Sequence, residues 1–493
     1  MSLSRIALLS WSRSRAAASS LQNCTSNVPH LRVRFQNNDS VISWKCGNMA
    51  RFTTGDTAAV SDPARAAKAH TDTEGTRESV LHRSPRFLVI FASLSALFAM
   101  GQFHRSSGGV LSTVFTAEFA LNAKQLSLVM GAMFVAQGLA QLPVGVLMDR
   151  YGTRRVTPVA TVLAVGGCLT MAAAGDWGTL GLGRLLLGTG FAAAMMGTYA
   201  VLVHWVPQES LTTYTGRFLF VGMAGGLLAT SPFAAFIEAA GWRTAFVWLA
   251  VITSLVAVLA GIFVRDRPKS EAPGGDRPTS LMESVRGVVM VVRARRFRPI
   301  LLVSVLLYCP AQVLLGLWSG PFLSDVHGLG PIERGYAMTA MMVGMSTGVL
   351  IYGPIEKWLN ARRAVVIVGA CLVSAEFAAL AFVAHLSPWP AIALFVAVVA
   401  TAPFFVVVLG HAQSLFHKDY AGRVVSTVNL LAITGIFIMQ NATGLLVSAV
   451  PHPPGSTGAV LGYRLVFALM AVLFAGLALV YTRTKEVRPL GTE

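Results

Sequence analysis

The 493-residue chain has few charged residues for its length. Asp, Glu, Lys and Arg together make up 12% of it, and hydrophobic residues make up 54%. A soluble globular protein carries about 25% charged residues. Most of the chain is therefore expected to lie in lipid, where helices are favoured because they satisfy their own backbone hydrogen bonds.

Cysteines are also few, and none is spaced for a metal site or a disulfide framework. The five are Cys24, Cys46, Cys168, Cys309 and Cys371. The G-x-x-x-x-G-K-[ST] pattern of phosphate-binding loops is missing, so ATP is not the expected direct energy source. No nucleophile–base constellation or pair of membrane carboxylates is found either. The sequence predicts neither an enzyme nor a bound cofactor or metal.

What the chain does contain is long apolar runs. A membrane-spanning helix needs about 20 apolar residues, and about twelve stretches from Phe87 onward meet this length. We expect an all-α integral membrane protein with spans near residues 87–115, 126–148, 156–174, 179–206, 214–238, 244–264, 299–323, 335–356, 363–385, 390–412, 424–449 and 462–482.

The net charge of +17 comes from basic residues in alternate loops between these runs. The other loops, such as residues 176–177 and 387–390, are short and nearly free of Lys and Arg. This is the positive-inside pattern. It predicts that both ends of the membrane domain are cytoplasmic, and it argues against nucleic acid, which would require basic residues clustered on one face.

The N-terminal segment 1–85 is expected to be disordered, because it has no periodic apolar face. It is rich in arginine and has no acid before Asp39, which is typical of an organelle transit peptide. The alternative is that synthesis begins at Met49. Location in the cell inner membrane is predicted in the second case, and in an organelle membrane in the first.

A polar segment, residues 265–298, divides the apolar runs into two groups of six. We expect an N-terminal bundle over 86–264, this cytoplasmic linker, a C-terminal bundle over 299–483 and a cytoplasmic tail over 484–493. The stretch "GVLMDRYGTRRV" (145–156) has an echo in "YGPIEKWLNARRAV" (352–365). The two matched glycines, Gly145 and Gly353, and the arginines Arg154 and Arg362 are each 208 residues apart.

These motifs resemble the major facilitator superfamily of secondary transporters over roughly residues 85–485. The first stretch matches the family's loop signature, and "GRLLLGTGFAAA" (183–194) is similar to its fourth-helix motif. The segments "LWSGPFLSDV" (317–326) and "AGRVVSTVNLLAITGIFIMQ" (421–440) resemble sugar-phosphate-permease-like and anion-permease-like members. The resemblance implies two six-helix bundles related by a pseudo-two-fold axis, with a substrate cavity between them.

The same resemblance implies a latch between two states at the charged loop. Asp149 is expected to bind a neighbouring helix N-terminus and an arginine on the cytoplasmic face. The alternative is a basic loop that only sets topology. The expected gating residues are Gly145, Asp149, Arg150, Gly152, Arg154, Arg155, Gly353, Arg362 and Arg363. In the second half Lys357 replaces the matched acid, with Glu356 before it.

Arg105 is the strongest candidate for binding substrate, because an arginine stays charged and fits carboxylate or phosphate. Its position resembles that of an anion-binding arginine in organophosphate antiporters, whose second arginine is matched here by Gln312. This favours a singly charged anion. Amides at helical spacing complete the predicted site, so the candidates are Arg105, Gln137, Gln141, Gln312, Trp318, Asn429 and Gln440. The alternative for Arg105 is a guanidinium reaching the lipid headgroups.

Three further ionisable residues in apolar segments are candidates for proton coupling, since such groups are usually functional. They are His104, Arg184 and Glu376. Each also has a structural alternative: a packed histidine, an arginine bonded to helix carbonyls and a structurally paired glutamate.

The sequence thus predicts a secondary active transporter, expected to be a monomer in its bilayer, that moves a small organic anion such as a carboxylate with a coupling proton. Two alternatives stay open. One is a drug/proton efflux antiporter, and the other is a related protein that senses a solute without transporting it.

Overall fold

The computed structural model describes residues 85–266, 281–294, 297–383, 387–415, 421–450 and 457–487, and over these it contains helices and no strands. The segment expected to be disordered lies outside the described residues except for Pro85. Most of the predicted linker and residues 488–493 of the predicted tail also lie outside them.

Eight helices belong to the first half of the chain. They are α1 (Pro85–Ser106), α2 (Gly108–Phe119), α3 (Ala123–Tyr151), α4 (Thr153–Ala172), α5 (Trp177–Trp205), α6 (Gln208–Leu228), α7 (Ser231–Ala240) and α8 (Trp242–Phe263).

The second half begins with α9 (Leu281–Arg293) and contains several interrupted helices. The others are α10 (Arg298–Ser304), α11 (Cys309–Val313), a π-helical turn (Leu314–Trp318), α12 (Ser319–Asp325), α13 (Pro331–Leu359), α14 (Arg362–Val383), α15 (Pro388–Thr401), a 3₁₀ turn (Ala402–Phe404), α16 (Phe405–Ser414), α17 (Ala421–Ser448) and α18 (Thr457–Tyr481).

The described residues hold eleven helices that are long and apolar enough to cross a membrane, or twelve if α6 and α7, which meet at 41°, form one bent span. The continuous stretches Arg298–Asp325 and Pro388–Ser414 each count as one of the eleven. The outer surface is apolar, with Leu139, Val159 and Val472 at least 70% exposed. The predicted all-α membrane fold with about twelve spans is confirmed.

Local sequence signals fix where several helices begin. At α3, the Asn122 side chain accepts a hydrogen bond from the Gln125 backbone N–H at 2.9 Å, and the Gln125 side chain accepts one from the Asn122 N–H at 3.1 Å. At α5, Asp176 accepts one from the Thr179 N–H at 2.9 Å. Such N-caps satisfy backbone donors that the helix itself leaves unpaired.

The spans of the first half form one six-helix bundle and those of the second half form the other. Both bundles run between the same two faces of the molecule, which we name by their charge. The basic face carries Arg154 and Arg362 at the starts of α4 and α14. The opposite face carries the loops that start α5 and α13. Because the helices alternate in direction, Pro85 and Tyr481, at the two limits of the helical body, both lie at the basic face.

The bundles approach each other closely towards the opposite face. A methyl group on Gly108 would overlap the carbonyl oxygen of Gly316, and one on Gly320 would overlap that of Gly109. A second contact joins α7 to α13, where the hydroxyl oxygens of Thr230 and Thr339 are 2.8 Å apart. The cavity between the bundles is therefore closed at this end.

The first span of each half is interrupted. The predicted span 87–115 divides into α1 and α2 at Ser107, and the predicted span 299–323 divides between Ser304 and Cys309 and then widens into the π-helical turn. Paired interruptions at matching places in two transporter halves are the strongest structural pointer to a binding site. Hydropathy did not reveal them, because the interrupting residues leave the runs apolar.

Candidate functional site

Four of the predicted substrate residues line one small cavity between the bundles. Arg105 of α1, Gln137 and Gln141 of α3, and Asn429 of α17 all face it. Its volume is about 40 Å³. The structure therefore brings together residues from three helices and from both halves of the chain.

The guanidinium of Arg105 dominates this cavity electrostatically. Its Nη1 donates to Gln102 Oε1 at 3.1 Å, and its carbon lies 5.6 Å from the centre of the Phe134 ring. Its Nε is buried without a hydrogen-bond partner. Among the described residues, no carboxylate lies within ion-pair distance of it. A half-buried cation with an unused donor is well suited to receive an anion.

The amides around Arg105 also have unused hydrogen-bonding capacity. Gln137 Oε1 and Gln141 Oε1 are buried and have no partner, and the two residues lie one turn apart on α3. Asn429 Oδ1 accepts a hydrogen bond of 3.3 Å from the Tyr308 hydroxyl. Because an amide can present either its oxygen or its nitrogen, Gln137 and Gln141 can donate to an anion held by Arg105.

The rest of the cavity wall, apart from Gln102, is apolar and includes flexible side chains. Aromatic rings and thioethers from α1, α3 and α5 form it on the first-bundle side, and methionine adapts readily to ligand shape. The apolar residues with large side chains that line the cavity are Phe98, Met133, Phe191, Met195, Met196 and Ile433.

Three predicted substrate residues do not line this cavity. Trp318 and Gln440 are at most 2% exposed, and they bond within the second bundle. Gln440 Nε2 donates to the Gln312 carbonyl at 3.0 Å, and Trp318 Nε1 donates to Thr443 Oγ1 at 2.8 Å. Gln440 shares a face of α17 with Asn429, but it lies eleven residues further along the helix, about 17 Å at 1.5 Å per residue, so a shared face does not bring both residues to the same cavity.

These residues lie where α11 and the π-helical turn contact α17, and this contact is beside the cavity. A methyl group on Gly316 would be 3.0 Å from Gln312 Oε1 and 3.7 Å from the Arg105 carbonyl oxygen. Gln312 Oε1 and Gln440 Oε1 are both buried without a partner. A direct role of Gln312, Trp318 and Gln440 in binding substrate stays a prediction.

The gating residues of the first half lie at the basic face, as a latch would require. Gly152 has φ +80°, a conformation that favours glycine, and it lets the chain turn from α3 into α4. Asp149 and Arg150 are exposed on the last turn of α3, and Arg155 is exposed on α4. A methyl group on Gly145 would lie 3.8 Å from Met196 Sδ of α5, so this glycine has room around it.

The cap of α4 comes from a residue that the sequence did not single out. The backbone N–H of Arg154 donates to Asp266 Oδ1 at 3.1 Å. In the second bundle the backbone N–H of Arg363 donates to Glu486 Oε1 at 3.0 Å. Asp266 and Glu486 are each the first acid after the last helix of their bundle, and this shared position was the signal available in the sequence.

The second-half echo forms its own ion pair. Arg362 Nε donates to Glu356 Oε1 at 2.6 Å, and both side chains are largely buried. Gly353 has open space around it. The acid that replaces the missing partner in this half is thus Glu356, one position before the matched Lys357.

His104 and Arg184 form one buried group inside the first bundle. Arg184 Nη1 donates to the His104 carbonyl oxygen at 3.1 Å, and its Nη2 lies 3.2 Å from Met130 Sδ. The imidazole packs 5.4 Å from Phe191, with its Nε2 3.7 Å from Cys168 Sγ. These contacts are those of the structural alternatives for both residues, and a proton role stays a prediction.

Glu376 lies away from the cavity, between α14 and α15. Its Oε1 accepts a hydrogen bond of 2.8 Å from Thr401 Oγ1, while its Oε2 is buried without a partner. This is a pairing within the second bundle. Proton coupling through Glu376 therefore has no direct path from the described cavity lining, and it also stays a prediction.

Comparison with known proteins agrees with this architecture. Residues 87–440 match the family model of the Major Facilitator Superfamily. The chain belongs to this superfamily. Its members are transporters and not enzymes, so the protein is a multi-pass membrane protein that carries small solutes by secondary transport.

Two curated superfamily relatives illustrate the range of similarity. The hexuronate transporter of Bacillus subtilis is 23% identical over 406 residues, which cover 79% of this chain and 93% of the relative. A probable nitrate/nitrite transporter of Mycobacterium tuberculosis is 25% identical over 293 residues, which cover 57% of this chain and 68% of the relative.

Solved superfamily structures share the fold. A bacterial homologue of the human lysosomal transporter Spinster, in an inward-facing and occupied conformation, aligns with TM-score 0.65 at 16% identity, covering 82% of this chain and 98% of that one. A D-xylose–proton symporter aligns with TM-score 0.60 at 16% identity, covering 78% and 96%.

Proposed function

We propose that this transporter moves a singly charged organic anion, a carboxylate with a compact apolar body, by alternating access in symport with a proton. The observation that carries the proposal is Arg105. It is the charged side chain of the described cavity lining, and no described acid pairs with it.

The electrostatic argument rests on the cost of burying a charge. An unpaired ion in a low-dielectric site is costly, and a bound counter-ion offsets that cost. A carboxylate can accept two parallel hydrogen bonds from a guanidinium. One guanidinium with neutral amides around it suits one negative charge better than two.

The cavity walls support the choice of substrate body. Arg105 and the amides occupy one part of the lining, whereas phenylalanine and methionine side chains occupy much of the rest. Apolar substrate surface gains about 25 cal/mol per Å² when it leaves water for such a wall.

Similarity to curated relatives gives limited support for an anionic substrate. Hexuronate and nitrate, named for two of the relatives, are anions. A third relative is named for D-xylose, a neutral sugar, at 24% identity over 278 residues. Substrate charge therefore varies among relatives at this distance, and the proposal depends mainly on Arg105.

The present cavity of about 40 Å³ is little larger than the roughly 30 Å³ that one water occupies in the liquid. The bundles must part for a carboxylate to enter. The described contacts close the opposite face, so entry from the basic face is expected in this arrangement. By the positive-inside rule, we propose that the basic face is cytoplasmic, that both ends of the helical body lie there, and that the membrane is the cell inner membrane.

The efflux alternative is less well supported. The described lining contains a guanidinium and no carboxylate, and a cationic drug beside an unpaired guanidinium is disfavoured by like-charge repulsion. A solute sensor without transport would bind the same anion but show no flux.

Uptake by purified protein in proteoliposomes tests these possibilities. Labelled apolar monocarboxylates, dicarboxylates, sugar acids and neutral sugars are offered with and without an inward proton gradient, against protein-free vesicles. We expect saturable uptake of an apolar monocarboxylate that the gradient increases. Binding without uptake would indicate a sensor, and uptake of a neutral sugar or export of a cation would contradict the proposal.

A further inference from the structure

One cavity of the described residues lies on the outer surface of the first bundle, not between the bundles. It is a groove of about 800 Å³ bounded by α3, α4 and α5. Its walls are almost wholly apolar and include Leu139, Leu147, Val159 and Leu163. This face of the bundle points away from the substrate cavity, so the groove opens towards lipid.

The groove runs along α3 from Ala136 to Tyr151. At 1.5 Å per residue, these fifteen steps give a length of about 22 Å. Half of a bilayer's hydrocarbon core is about 15 Å thick. The groove therefore extends from the middle of the bundle to the basic face, which is the depth of one lipid leaflet with its headgroup region.

The two ends of the groove differ in chemistry. Away from the basic face the groove is apolar, and the small side chains of Ala136, Ala140 and Ala160 leave room along its floor. At the basic face it ends at Tyr151 and Arg155. An arginine fits a phosphate, and a tyrosine ring is favoured at the level of the headgroups.

We propose that this groove is a binding site for one phospholipid with a net negative headgroup. One of its two acyl chains occupies the apolar groove, and Arg155 binds the headgroup phosphate beside Tyr151. A second cation lies close by, since the Arg150 guanidinium carbon is 5.4 Å from the centre of the Tyr151 ring. The length of the groove, its apolar wall and its basic end all match this occupant, and none of them depends on the transported substrate.

The site also has a consequence for transport. The groove includes the hairpin that joins α3 to α4, which contains Gly152 and the other predicted gating residues of the first half. A lipid held between α3 and α4 stabilises one packing of these two helices. Occupancy of the groove is therefore expected to alter the equilibrium between transport states.

Native mass spectrometry of the full-length protein tests the site. Delipidated protein in mild detergent is incubated with phosphatidylglycerol or with phosphatidylcholine of the same chain composition. We expect one retained phosphatidylglycerol at several-fold higher occupancy than phosphatidylcholine. Leu163→Trp, which fills the groove, should remove the retained lipid, and Arg155→Gln should reduce the preference for phosphatidylglycerol over phosphatidylcholine.

Matched substitutions elsewhere separate the groove from general surface effects. Leu255→Trp adds the same ring to the exposed surface of α8, and Arg483→Gln removes an exposed arginine near the basic face. Both should leave lipid retention unchanged. If Leu163→Trp does not fold, Val159→Trp fills the groove from a more exposed position. Equal retention of both lipids by the wild type, or unchanged retention in the groove variants, would overturn the proposal.

Discussion

The contact between Gly108 and Gly316 leads to a specific prediction about the two transport states. A methyl group at Gly108 would overlap the Gly316 carbonyl oxygen, and this contact joins the two bundles at the closed opposite face. Alternating access requires the bundles to separate there in the other state. Gly108→Ala should therefore destabilise the present arrangement without affecting the alternative one.

The size of the effect follows from the cost of overpacking. Inserting a methyl group into a close-packed contact costs about 1–3 kcal/mol. That free energy changes the ratio of two states by about 5- to 150-fold. The shift is expected at the upper end of this range, because the atom in the way is a backbone carbonyl and not the end of a flexible side chain.

Disulfide cross-linking across the same face measures this shift. In a variant without the native cysteines, Ser231→Cys and Thr339→Cys place two thiols where hydroxyl oxygens now lie 3.0 Å apart. We expect rapid cross-linking in this background and much slower cross-linking when Gly108→Ala is added. Gly320→Ala, whose methyl group would overlap Gly109 from the other side of the contact, should slow the cross-linking in the same way.

The control is a glycine with open space around it. A methyl group on Gly166 would have no neighbouring atom within 4 Å, so Gly166→Ala should not change the cross-linking rate. If Gly108→Ala and Gly320→Ala both fold and cross-link at the wild-type rate, the contact does not hold the opposite face closed and the reasoning is wrong.

Three further predictions concern stability, measured as the thermal midpoint in detergent. Asp266→Ala removes the cap of α4 and should cost about 0.5–2 kcal/mol; an unchanged midpoint would show that the cap contributes nothing. Gly152→Ala places a side chain at φ +80° and should cost about 1–3 kcal/mol, whereas Gly145→Ala should cost less. Hydrogen bonds from the Thr179 side chain and backbone lower the pKa of Asp176. The ionised Asp176 therefore stabilises the folded protein above its unfolded-state pKa, and this stabilisation is lost as pH falls through the lower folded-state pKa. Asp176→Asn keeps a capping oxygen and should make the midpoint less dependent on acid pH; an unchanged acid dependence would contradict this assignment.

The sequence predicted the spans because their length and apolar character are set by the bilayer. It also predicted that Gln137 and Gln141 share a face, since α3 is a regular helix over both residues. Arg105 was found because a charged residue in an apolar run is conspicuous. These features depend on local sequence and on the properties of lipid, so one chain is enough to reveal them.

The features that sequence reasoning missed depend on contacts between distant segments. The break at Ser107 lies where α2 closely approaches the π-helical turn, and the break after Ser304 lies where the Val305 backbone closely approaches Gly435 of α17. Hydropathy does not register either contact. Gln440 shares a face of α17 with Asn429, but the hydrogen bonds of Gln440 and Trp318 within the second bundle could not be predicted from helical periodicity. Asp266 and Glu486 lie outside the helices, one after the last helix of each bundle, where a single acid gives no periodic signal.

The most direct test of the central claim is the affinity for the transported anion in Arg105 variants. Losing hydrogen bonds to a charged partner costs about 1.5–3 kcal/mol, or roughly 10- to 100-fold in affinity. Proteoliposome uptake should show this weakening in Arg105→Gln and a smaller one in Arg105→Lys, which keeps the charge. Arg217→Gln, at an exposed arginine over Tyr214 on α6, should match the wild type. Wild-type affinity for an anion in Arg105→Gln would contradict the claim that this guanidinium binds the transported charge.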